Sequence, residues 1–183
     1  MDKIESIQIL IGGRGGQGIL LAGYILGKAL IEEGYYVVNS ETYSAETRGG
    51  FSRSDLIATK GDVEPDLIRI RKADIAVFMY PEQMESYADL ACMSATVFID
   101  GTFTDKPYRN WKTVYIYPFT QVAREELGNH RVANMVALGY LAGKTGIIKL
   151  DTLKKVVKES VRKEWMEINL KAIDLGYTRA REK

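Results

Sequence analysis

The segment from residue 4 to residue 18 reads IESIQILIGGRGGQG and decides the fold. Its apolar positions alternate and then run together up to Ile11, which predicts a buried first strand. Gly13 to Gly18 fit the pattern G-x-G-x-x-G and lead directly into an apolar helical pattern over Ile19–Glu33. A strand, a glycine loop and a helix in this order are typical of nucleotide-binding α/β sheets.

The rest of the chain continues this alternation. Further strands are predicted at Tyr35–Val38, Ser52–Thr59, Ile75–Met79, Thr96–Ile99 and Thr113–Tyr117, and helices at Pro81–Ala91, Phe119–Leu127, Arg131–Gly143, Thr152–Lys163 and Trp165–Leu175. The pattern predicts an α/β fold, with a Rossmann-like, open, mostly parallel sheet, helices on both faces and a helical C-terminal segment. We expect one domain over residues 1–183, with a core at about 4–145 and the helical segment at about 150–178.

Three local features of this pattern carry their own expectations. Ser52–Thr59 alternates polar and apolar residues, which is typical of a half-exposed strand. The helix Arg131–Gly143 has almost no polar face, which predicts burial in the core or under a partner. Gly34 is predicted to end the first helix, and Asp151 to cap the helix that follows it.

The overall charge favours neither nucleic acid nor a membrane surface as a partner. The chain has 25 basic and 24 acidic residues and a net charge of +1, so no basic excess is available to bind phosphate backbones or anionic lipids. No window approaches the roughly 18 apolar residues of a membrane span. The N-terminal apolar run is short and enters the glycine loop, so it is interpreted as a strand and not as a signal peptide. We expect a cytoplasmic protein.

The single cysteine, Cys92, and the single histidine, His130, exclude several kinds of metal site on this chain. An iron–sulfur cluster needs about four thiolates, and a structural zinc site needs more Cys and His ligands than the chain has. We therefore predict no metal bound by this chain. Cys92 is interpreted as a small packed side chain and His130 as structural. If the protein belongs to a redox system, the metal lies on another chain.

The glycine loop leaves more than one ligand open. Its glycines let the backbone approach a diphosphate, and the helix N-terminus supplies free N–H groups. Glu41 lies about where an NAD-binding fold keeps its ribose-binding carboxylate, so NAD is a competitor. Arg69, Arg71 and Lys72 form a basic cluster that is either a solvated face or a second place for phosphates. The loop could also be a packing turn, although such a turn does not require Gln17, whose amide could reach a carbonyl, a phosphate or a neighbouring chain.

Three blocks of the sequence resemble a known family. Residues 12–19, GGRGGQGI, resemble the G-x-G-G-Q-G-[IV] opening of the gamma subunits of 2-oxoacid:ferredoxin oxidoreductases. Residues 42–50, TYSAETRGG, look like that family's S-Y-G-P-E-x-R-G-G block, with Ser44 and Ala45 in place of its G-P. Residues 73–77, ADIAV, match its A-D-[IVL]-x-[VIL] strand. Just after the second block, residues 52–55, SRSD, resemble the S-R-S-[ED] motif common in 2-oxoglutarate-type members of the family. The blocks cover about residues 7–100 in the family's order.

The resemblance implies a division of labour between subunits. Enzymes of this family decarboxylate a 2-oxoacid on thiamine diphosphate, pass electrons through iron–sulfur clusters to ferredoxin, and transfer the acyl group to coenzyme A. This chain has no G-D-G followed by N-N, the usual thiamine diphosphate and Mg²⁺ signature, and Gly61-Asp62 has no such continuation. The resemblance therefore implies that both cofactors lie on partner chains, namely alpha, beta and delta-type subunits, with ferredoxin as the electron acceptor of the complex.

The same resemblance implies which residues of this chain matter. No catalytic residue is expected here, and the substrate favoured by residues 52–55 is 2-oxoglutarate. The loop that could contact coenzyme A consists of Gly13, Arg14, Gly15, Gly16, Gln17 and Gly18. The segment expected to face a partner's active site contains Tyr43, Glu46, Arg48, Gly49 and Gly50.

Two alternatives to an oxidoreductase subunit stay open at this point. One is a stand-alone NAD(P)-binding protein, either a dehydrogenase domain or a redox sensor. A dehydrogenase needs a proton-transfer residue beside its substrate, and no residue stands in a recognisable setting for that role. The other alternative is a non-catalytic scaffold with a vestigial loop. The second block, residues 42–50, favours the oxidoreductase subunit over the NAD(P)-binding protein.

Overall fold

The computed structural model describes residues 5–44, 50–60, 65 and 67–182. Its strands are β1 Glu5–Arg14, β2 Tyr36–Tyr43, β3 Phe51–Lys60, β4 Ala73–Phe78, β5 Ala91–Asp100 and β6 Thr113–Tyr117. Its α-helices are α1 Ile19–Glu32, α2 Pro81–Tyr87, α3 Phe119–Leu127, α4 Ala133–Thr145, α5 Leu150–Ser160 and α6 Lys163–Arg181. Short 3₁₀ turns follow α2 at Ala88–Leu90 and precede α4 at His130–Val132. The predicted α/β class is confirmed.

The described strands form one sheet in the order β2-β3-β1-β4-β5-β6. β3 runs antiparallel to both of its neighbours, and the pairs β1–β4, β4–β5 and β5–β6 are parallel. Five of the six described strands therefore point the same way, as the prediction of a mostly parallel sheet requires. β1 and β2, which α1 connects, point the same way but are not neighbours, because β3 lies between them.

The central position of β3 also overturns the expectation of a half-exposed strand. Ser54–Thr59 is buried throughout, because β3 has a strand on each side and packed residues on both faces. The polar members of the alternation are satisfied inside the protein: the Ser54 hydroxyl donates to Asn39 Oδ1 at 2.7 Å. An alternating pattern shows which side chains are polar but not whether water reaches them. In β3 the polar side chains are buried and form hydrogen bonds within the protein.

The two faces of the sheet are covered unequally. One face packs against α1 and α3–α6, and the other against α2, the turn after it and Trp111. The inward side chains of the first face include Ile9, Ile11, Leu56, Ala58, Ile75, Val77 and Phe98, and those of the second include Leu10, Ile57, Ala76, Phe78, Val97 and Ile99. Helices lie on both faces, as predicted, but most of the helical mass is on one.

The apolar helix α4 is covered by the chain's own C-terminal helix. A Cβ built on Gly139 would lie 2.1 Å from the carbonyl oxygen of Ile173, and one on Gly176 would lie 2.0 Å from that of Val136. The two helix backbones therefore touch, and residues 133–142 are all buried within this chain. Of the two predicted kinds of burial, the core is the one observed.

Several elements end at other residues than predicted, and for two of the helices the reason is identifiable. α6 continues through Gly176 to Arg181, because that glycine is a packing position and not a stop. α5 begins at Leu150, so Asp151 lies in its first turn, where its carboxylate faces the positive end of the helix dipole, and it makes no cap hydrogen bond. Gly34 does end the first helix, with φ +87°. No helix in the described residues is long and apolar enough to cross a bilayer.

Candidate functional site

The pairing of β1 with β3 brings two distant motifs together. Gly13 lies opposite Ser52 and Arg14 opposite Phe51, so the glycine loop continues from the same end of the sheet as the β2–β3 connection. The Gly15 N–H donates to the carbonyl of Gly50 at 2.6 Å. The two sequence blocks of the predicted site are therefore neighbours in space.

Part of the predicted partner-facing segment can be placed directly. Tyr43 ends β2 and is 66% exposed. The N–H of Ser44 donates to the carbonyl of Phe51 at 3.0 Å, which closes the base of the β2–β3 connection. Gly50 is buried beside the glycine loop. Glu46, Arg48 and Gly49 lie outside the described residues.

Glycine is required at two positions of the loop for conformational reasons. Gly16 has φ +92° and Gly18 has φ +70°, in the left-handed region that costs other residues roughly 1–2 kcal/mol. Gly18 is also the N-cap of α1, and the Asn134 side chain donates to its carbonyl at 2.9 Å. The loop is thus fixed against α4 as well as against the sheet.

Gln17 forms hydrogen bonds to backbone groups of this chain at both ends of its amide. Its Oε1 accepts from the Arg14 N–H at 2.7 Å, and its Nε2 donates to the carbonyl of Met79 at 3.1 Å. The side chain therefore ties the loop after β1 to the end of β4. Of the three partners that the sequence allowed for this amide, the structure shows a carbonyl, that of Met79.

The backbone donors of the loop are fewer than the sequence predicts. The N–H groups of Arg14, Gly15 and Gln17 all have acceptors within the chain. Among the described residues, the N–H of Gly16 has no acceptor, and the first N–H groups of α1 lack intrahelical partners as in any helix. The Gly16 N–H and the positive end of the α1 dipole are therefore the parts of the loop that could bind an anion.

A cleft of about 620 Å³ opens beside this loop. We call it the glycine-loop cleft, and its lining residues are Arg14, Gly15, Gly16, Gln17, Met79, Tyr80, Phe103, Thr120, His130, Arg131 and Ala133. It lies at the carboxyl ends of β1 and β4, where α1 leaves toward one face of the sheet and α2 toward the other. In open α/β sheets this switch point is the usual place for a ligand.

The charge of the glycine-loop cleft is positive. The Arg14 guanidinium stacks over the Tyr80 ring at 4.6 Å, and that ring lies 4.9 Å from the Phe103 ring. Within the described residues, neither Arg14 nor Arg131 forms an ion pair with a carboxylate. The cleft combines free guanidinium groups with aromatic rings, which suits an anionic ligand.

Among the cleft residues that sequence reasoning did not predict are His130 and Arg131. Both lie in the 3₁₀ turn before α4. Asn129 caps this turn, because its Oδ1 accepts a hydrogen bond from the Arg131 N–H at 3.0 Å. The interruption at Gly128-Asn129 indicated a helix start. Only the fold, however, shows that this start lies beside the glycine loop.

A second cleft of about 390 Å³ lies on the other side of the loop. We call it the C-terminal cleft, and it is lined by Gly16, Gly18, Leu21, Arg131, Val132, Asn134, Ser160, Val161, Arg162, Trp165 and Asn169. Gly16 and Arg131 line both clefts. The residues of the α5–α6 turn were not among the predicted site residues, since nothing in their local pattern marks them.

Arg53 and Asp55 form a structural ion pair beside the site. The Arg53 Nε and Nη2 atoms lie 2.8 and 2.5 Å from the two Asp55 oxygens, and Asp55 is 2% exposed. The guanidinium also stacks over the Tyr87 ring at 5.0 Å. Burial raises the pKa of Tyr87, so its phenol stays neutral. This cluster supports β3 and supplies no free acid or base.

The other ligand candidates from the sequence lie away from the loop. Glu41 pairs with Ser54, which pairs with Ile11, so two strand spacings, roughly 10 Å, separate it from β1. An NAD-binding fold places this carboxylate on the strand next to β1, and here β3 takes that place. In the basic cluster, the Arg71 N–H donates to Gln8 Oε1 at 2.6 Å. This cluster lies at the amino end of β4, and the glycine loop lies at the other end of the sheet.

The fold and the cleft define a Rossmann-like α/β domain with a positively charged cleft at its switch point. The chain belongs to the pyruvate ferredoxin/flavodoxin oxidoreductase family, whose model matches residues 8–179. The 2-oxoglutarate synthase subunit KorC of Methanocaldococcus jannaschii is 36% identical over 178 residues, which cover 96% of this chain and 94% of that protein. The predicted family is confirmed.

Two solved structures resemble the fold closely. The gamma subunit of a keto/oxoacid ferredoxin oxidoreductase from Geobacter sulfurreducens has a TM-score of 0.81 and 28% identity, over 95% of this chain and 98% of that one. A 2-oxoglutarate:ferredoxin oxidoreductase from Magnetococcus marinus, with 2-oxoglutarate, coenzyme A and succinyl-CoA bound, also has a TM-score of 0.81, at 26% identity. It matches 98% of this chain but 32% of its own longer chain. These matches support the oxidoreductase subunit and not the NAD(P)-binding protein or the scaffold.

Proposed function

We propose that this chain is the gamma subunit of a thiamine diphosphate-dependent 2-oxoacid:ferredoxin oxidoreductase, with 2-oxoglutarate as the substrate. The complex oxidatively decarboxylates the 2-oxoacid to an acyl-CoA and passes the electrons to ferredoxin. The role of this chain is to complete the site and to contact coenzyme A. Support for the substrate comes from the KorC relative and from residues 52–55.

One observation carries the coenzyme A contact. The guanidinium groups of Arg14 and Arg131 and the free N–H of Gly16 line one cleft, and no carboxylate of the described residues neutralises these cations. Guanidinium groups bind phosphates through charge-assisted hydrogen bonds. Coenzyme A carries a diphosphate and a further ribose phosphate, so it matches the charge of the cleft.

The redox cofactors are assigned to partner subunits. Within the described residues, no group of three or more His, Cys, Asp or Glu side chains could hold a metal ion, and the chain has a single cysteine. We assign thiamine diphosphate, Mg²⁺ and the iron–sulfur clusters to alpha-, beta- and delta-type subunits. The segment around Tyr43 and Gly50 faces the partner that carries the active site.

The coenzyme A contact is tested in the assembled complex by steady-state kinetics. Arg131→Ala should raise the KM for coenzyme A about tenfold or more, because a charged hydrogen bond contributes about 1.5–3 kcal/mol. The KM for the 2-oxoacid should not change. Arg124→Ala is the matched control, since Arg124 is an exposed arginine of α3 outside both clefts. Equal coenzyme A constants for the two variants would contradict the proposal.

The substrate assignment has its own experiment. The complex should show a higher kcat/KM for 2-oxoglutarate than for pyruvate, branched-chain oxoacids or indolepyruvate when electrons are collected on a redox dye. Native mass spectrometry of the same preparation gives the masses of the partner subunits. A preference for another oxoacid would refute the substrate, and a chain without partners would refute the subunit role.

A further inference from the structure

The two edges of the sheet differ in how they resist further strand pairing. β6 is five residues long and is followed at once by Pro118, so it is a short edge that ends at a proline. β2 is eight residues long, contains no proline or lysine, and pairs with β3 without a bulge. In the part of the chain that the structure describes, no strand lies on its outer side. Soluble proteins seldom leave such an edge unprotected, so β2 has the properties of a strand that pairs with another chain.

The helix beside this edge is also incompletely covered. α1 has two charged side chains in its 14 residues, and a helix that is apolar nearly all round has neighbours on most sides. Leu20 is half-buried, however, and Tyr24 is 47% exposed. Each lies three residues before a glycine, Gly23 or Gly27, whose Cβ position is within 4 Å of a β2 side chain. Leu20 and Tyr24 therefore form an apolar stripe along the outer edge of β2.

The pairing of β2 with β3 determines which backbone groups of β2 are free. The Ser44 N–H donates to the Phe51 carbonyl at 3.0 Å, at the position that continues the register of the two strands. Along an antiparallel pair, successive residues alternate between bonding to the neighbouring strand and facing away from it. An antiparallel strand added outside β2 must therefore bond to the backbone groups of Val37, Asn39, Glu41 and Tyr43.

These groups allow two central registers in which β2 pairs with a second copy of itself, one centred on Ser40 and one on Asn39. The Ser40 register places Asn39 opposite Glu41 and Val37 opposite Tyr43, and each pair occurs twice. The Asn39 register places the Glu41 carboxylate opposite Val37, an apolar side chain. Aromatic side chains opposite β-branched ones, and side chains that bond to each other, stabilise a sheet. The Ser40 register is therefore the one that fits.

Asn39 has a free donor for this pairing. Its Oδ1 accepts from the Ser54 hydroxyl at 2.7 Å, which orients the amide, and its Nδ2 has no acceptor among the described residues. Glu41 is exposed and forms no ion pair within the same ranges. An amide donor and a carboxylate acceptor then face each other on both sides of the two-fold axis. One surface supplies both halves of the interface, as a two-fold dimer requires.

The position of α1 fits the same axis. A Cβ built on Gly23 would lie within 4 Å of side chains from both β2 and β3, so the helix lies above the space between these two strands. A two-fold axis through Ser40, perpendicular to the sheet, keeps both copies of α1 on one face and places them two strand spacings apart, about 10 Å. Packed helices lie about 8–10 Å apart. The first turns of both helices then meet, with Tyr24 of each copy beside Leu20 of the other.

We infer that two copies of this chain associate through β2 and the first turns of α1, so that two six-stranded sheets join into one. This interface covers the open edge and the apolar stripe together. Gly50, which accepts from Gly15, lies on the side of β3 away from the second copy and stays available to another subunit. The dimer does not depend on the coenzyme A contact.

Disulfide formation in the full chain tests the register. Residues opposite each other in a non-hydrogen-bonded pair have Cα atoms about 4.5 Å apart, a separation that a disulfide spans. With the single native cysteine removed by Cys92→Ala, Ser40→Cys should form a covalent dimer with oxidised glutathione. Thr42→Cys is the matched control on the same strand and face, because its two copies would lie about 13 Å apart. It should stay uncrosslinked.

The contribution of α1 is measured by sedimentation equilibrium. The unchanged chain should have twice the mass of one chain. Tyr24→Glu should raise the dissociation constant of the dimer at least about tenfold, because it brings two carboxylates together at the axis. Tyr108→Glu is the matched control, since Tyr108 is 50% exposed in the connection between β5 and β6, across the sheet from β2. The melting temperature of both variants shows whether the monomer remains folded.

A second copy and another kind of subunit predict different results. If the chain is monomeric at its highest soluble concentration and Ser40→Cys forms no disulfide, alone or in the assembled complex, another chain covers β2 and the inference is overturned. A disulfide with Asn39→Cys but not with Ser40→Cys would refute the pairing of Asn39 with Glu41. Equal dissociation constants for the two tyrosine variants would refute the role of α1. The coenzyme A contact is tested separately, by Arg131→Ala.

Discussion

Glycines serve opposite purposes in the glycine loop and at the crossing of α4 and α6. In the loop, Gly16 has φ +92° and open space around it, so what it provides is a backbone angle. At the crossing, Gly139 and Gly176 have ordinary helical angles and no room for a Cβ, so what they provide is the absence of a side chain. The loop shapes the candidate site, and the crossing holds α6, which forms one wall of the C-terminal cleft.

The largest expected effect is at the crossing. In Gly176→Ala the new methyl group would lie 2.0 Å from the Val136 carbonyl oxygen and 2.9 Å from the Tyr140 nitrogen. Both are backbone atoms that cannot rotate away, so the helices must separate. We expect a loss of about 3 kcal/mol, or roughly 10 °C in Tm, by thermal unfolding of the isolated chain. Gly146→Ala, which has φ +66° and open space, should cost about 1 kcal/mol. Equal losses of stability in the Gly176 and Gly146 variants would mean that the lack of space for a Cβ does not determine how α4 and α6 pack.

The loop should respond to substitution in the opposite way. Gly16→Ala meets no atom within 4 Å, so it costs only its left-handed angle, about 1–2 kcal/mol. The methyl group lies beside the Gly16 N–H that is proposed to contact coenzyme A, so the coenzyme A KM of the complex should rise about tenfold, as the loss of one hydrogen bond does.

The control for this variant lies at the other end of the same helix. Gly34 has φ +87° and also no atom within 4 Å of a built Cβ, and the 14-residue helix α1 separates it from the loop. Gly34→Ala should lose as much stability as Gly16→Ala and leave the coenzyme A KM unchanged. A similar KM for both variants would mean that the loop is a packing turn.

Gln17 links the loop to the sheet and should show an intermediate effect. Gln17→Ala removes the partners of the Arg14 N–H and the Met79 carbonyl, which should cost about 1–3 kcal/mol because both are partly buried. The cleft wall should loosen, so the coenzyme A KM should rise while the 2-oxoacid KM stays constant. Gln121→Ala removes an exposed amide bonded to Glu125 and should change neither. A Gln17 variant as stable as the Gln121 variant would show that the two hydrogen bonds of Gln17 contribute nothing to stability.

Local sequence pattern predicted the parts of the fold that local physics determines. The strand, glycine loop and first helix, and the bounds of Thr113–Tyr117 and Phe119–Leu127, agree with the structure. The position of β3 between β1 and β2 could not be predicted, because alternation describes one strand and not its neighbours. The alternation also made Ser54 and Asp55 appear exposed, because the sequence does not show that Ser54 bonds to Asn39 of β2 or that Asp55 pairs with Arg53 inside the protein.

The candidate site was predictable only where its residues are contiguous. The loop of Gly13–Gly18 has a spacing that indicates its chemistry. Arg131, Arg162 and Trp165 are far from the loop in sequence. They lie beside it because α4 packs against α6, and this packing depends on Gly139 and Gly176. The sequence could not show which partner Gln17 takes, because a side-chain amide that pairs with backbone groups is indistinguishable in sequence from one that faces a ligand.

The smallest expected effect lies at the end of α1 remote from both clefts. Glu33 Oε1 accepts from the Thr152 hydroxyl at 2.5 Å and from the Lys149 N–H at 3.2 Å, and Oε2 lies 3.5 Å from the Lys149 ammonium. These contacts, with the Thr152 hydrogen bond first, lower the pKa of Glu33. A carboxyl whose pKa is lower in the folded state stabilises the fold above its unfolded pKa, and this contribution is lost as the pH falls through the folded pKa.

Glu33→Gln should therefore lower stability at pH 7 by less than about 1 kcal/mol, because the site is close to solvent. The difference from the unchanged protein should shrink as the pH falls below the folded pKa, where both side chains are neutral. Lys149→Ala removes an ammonium that is 81% exposed and should change less, since the hydrogen bond of Thr152 remains. Denaturant unfolding at several pH values measures all three proteins. A difference that persists in acid, or one that salt abolishes at neutral pH, would show that the hydrogen bond is not the cause.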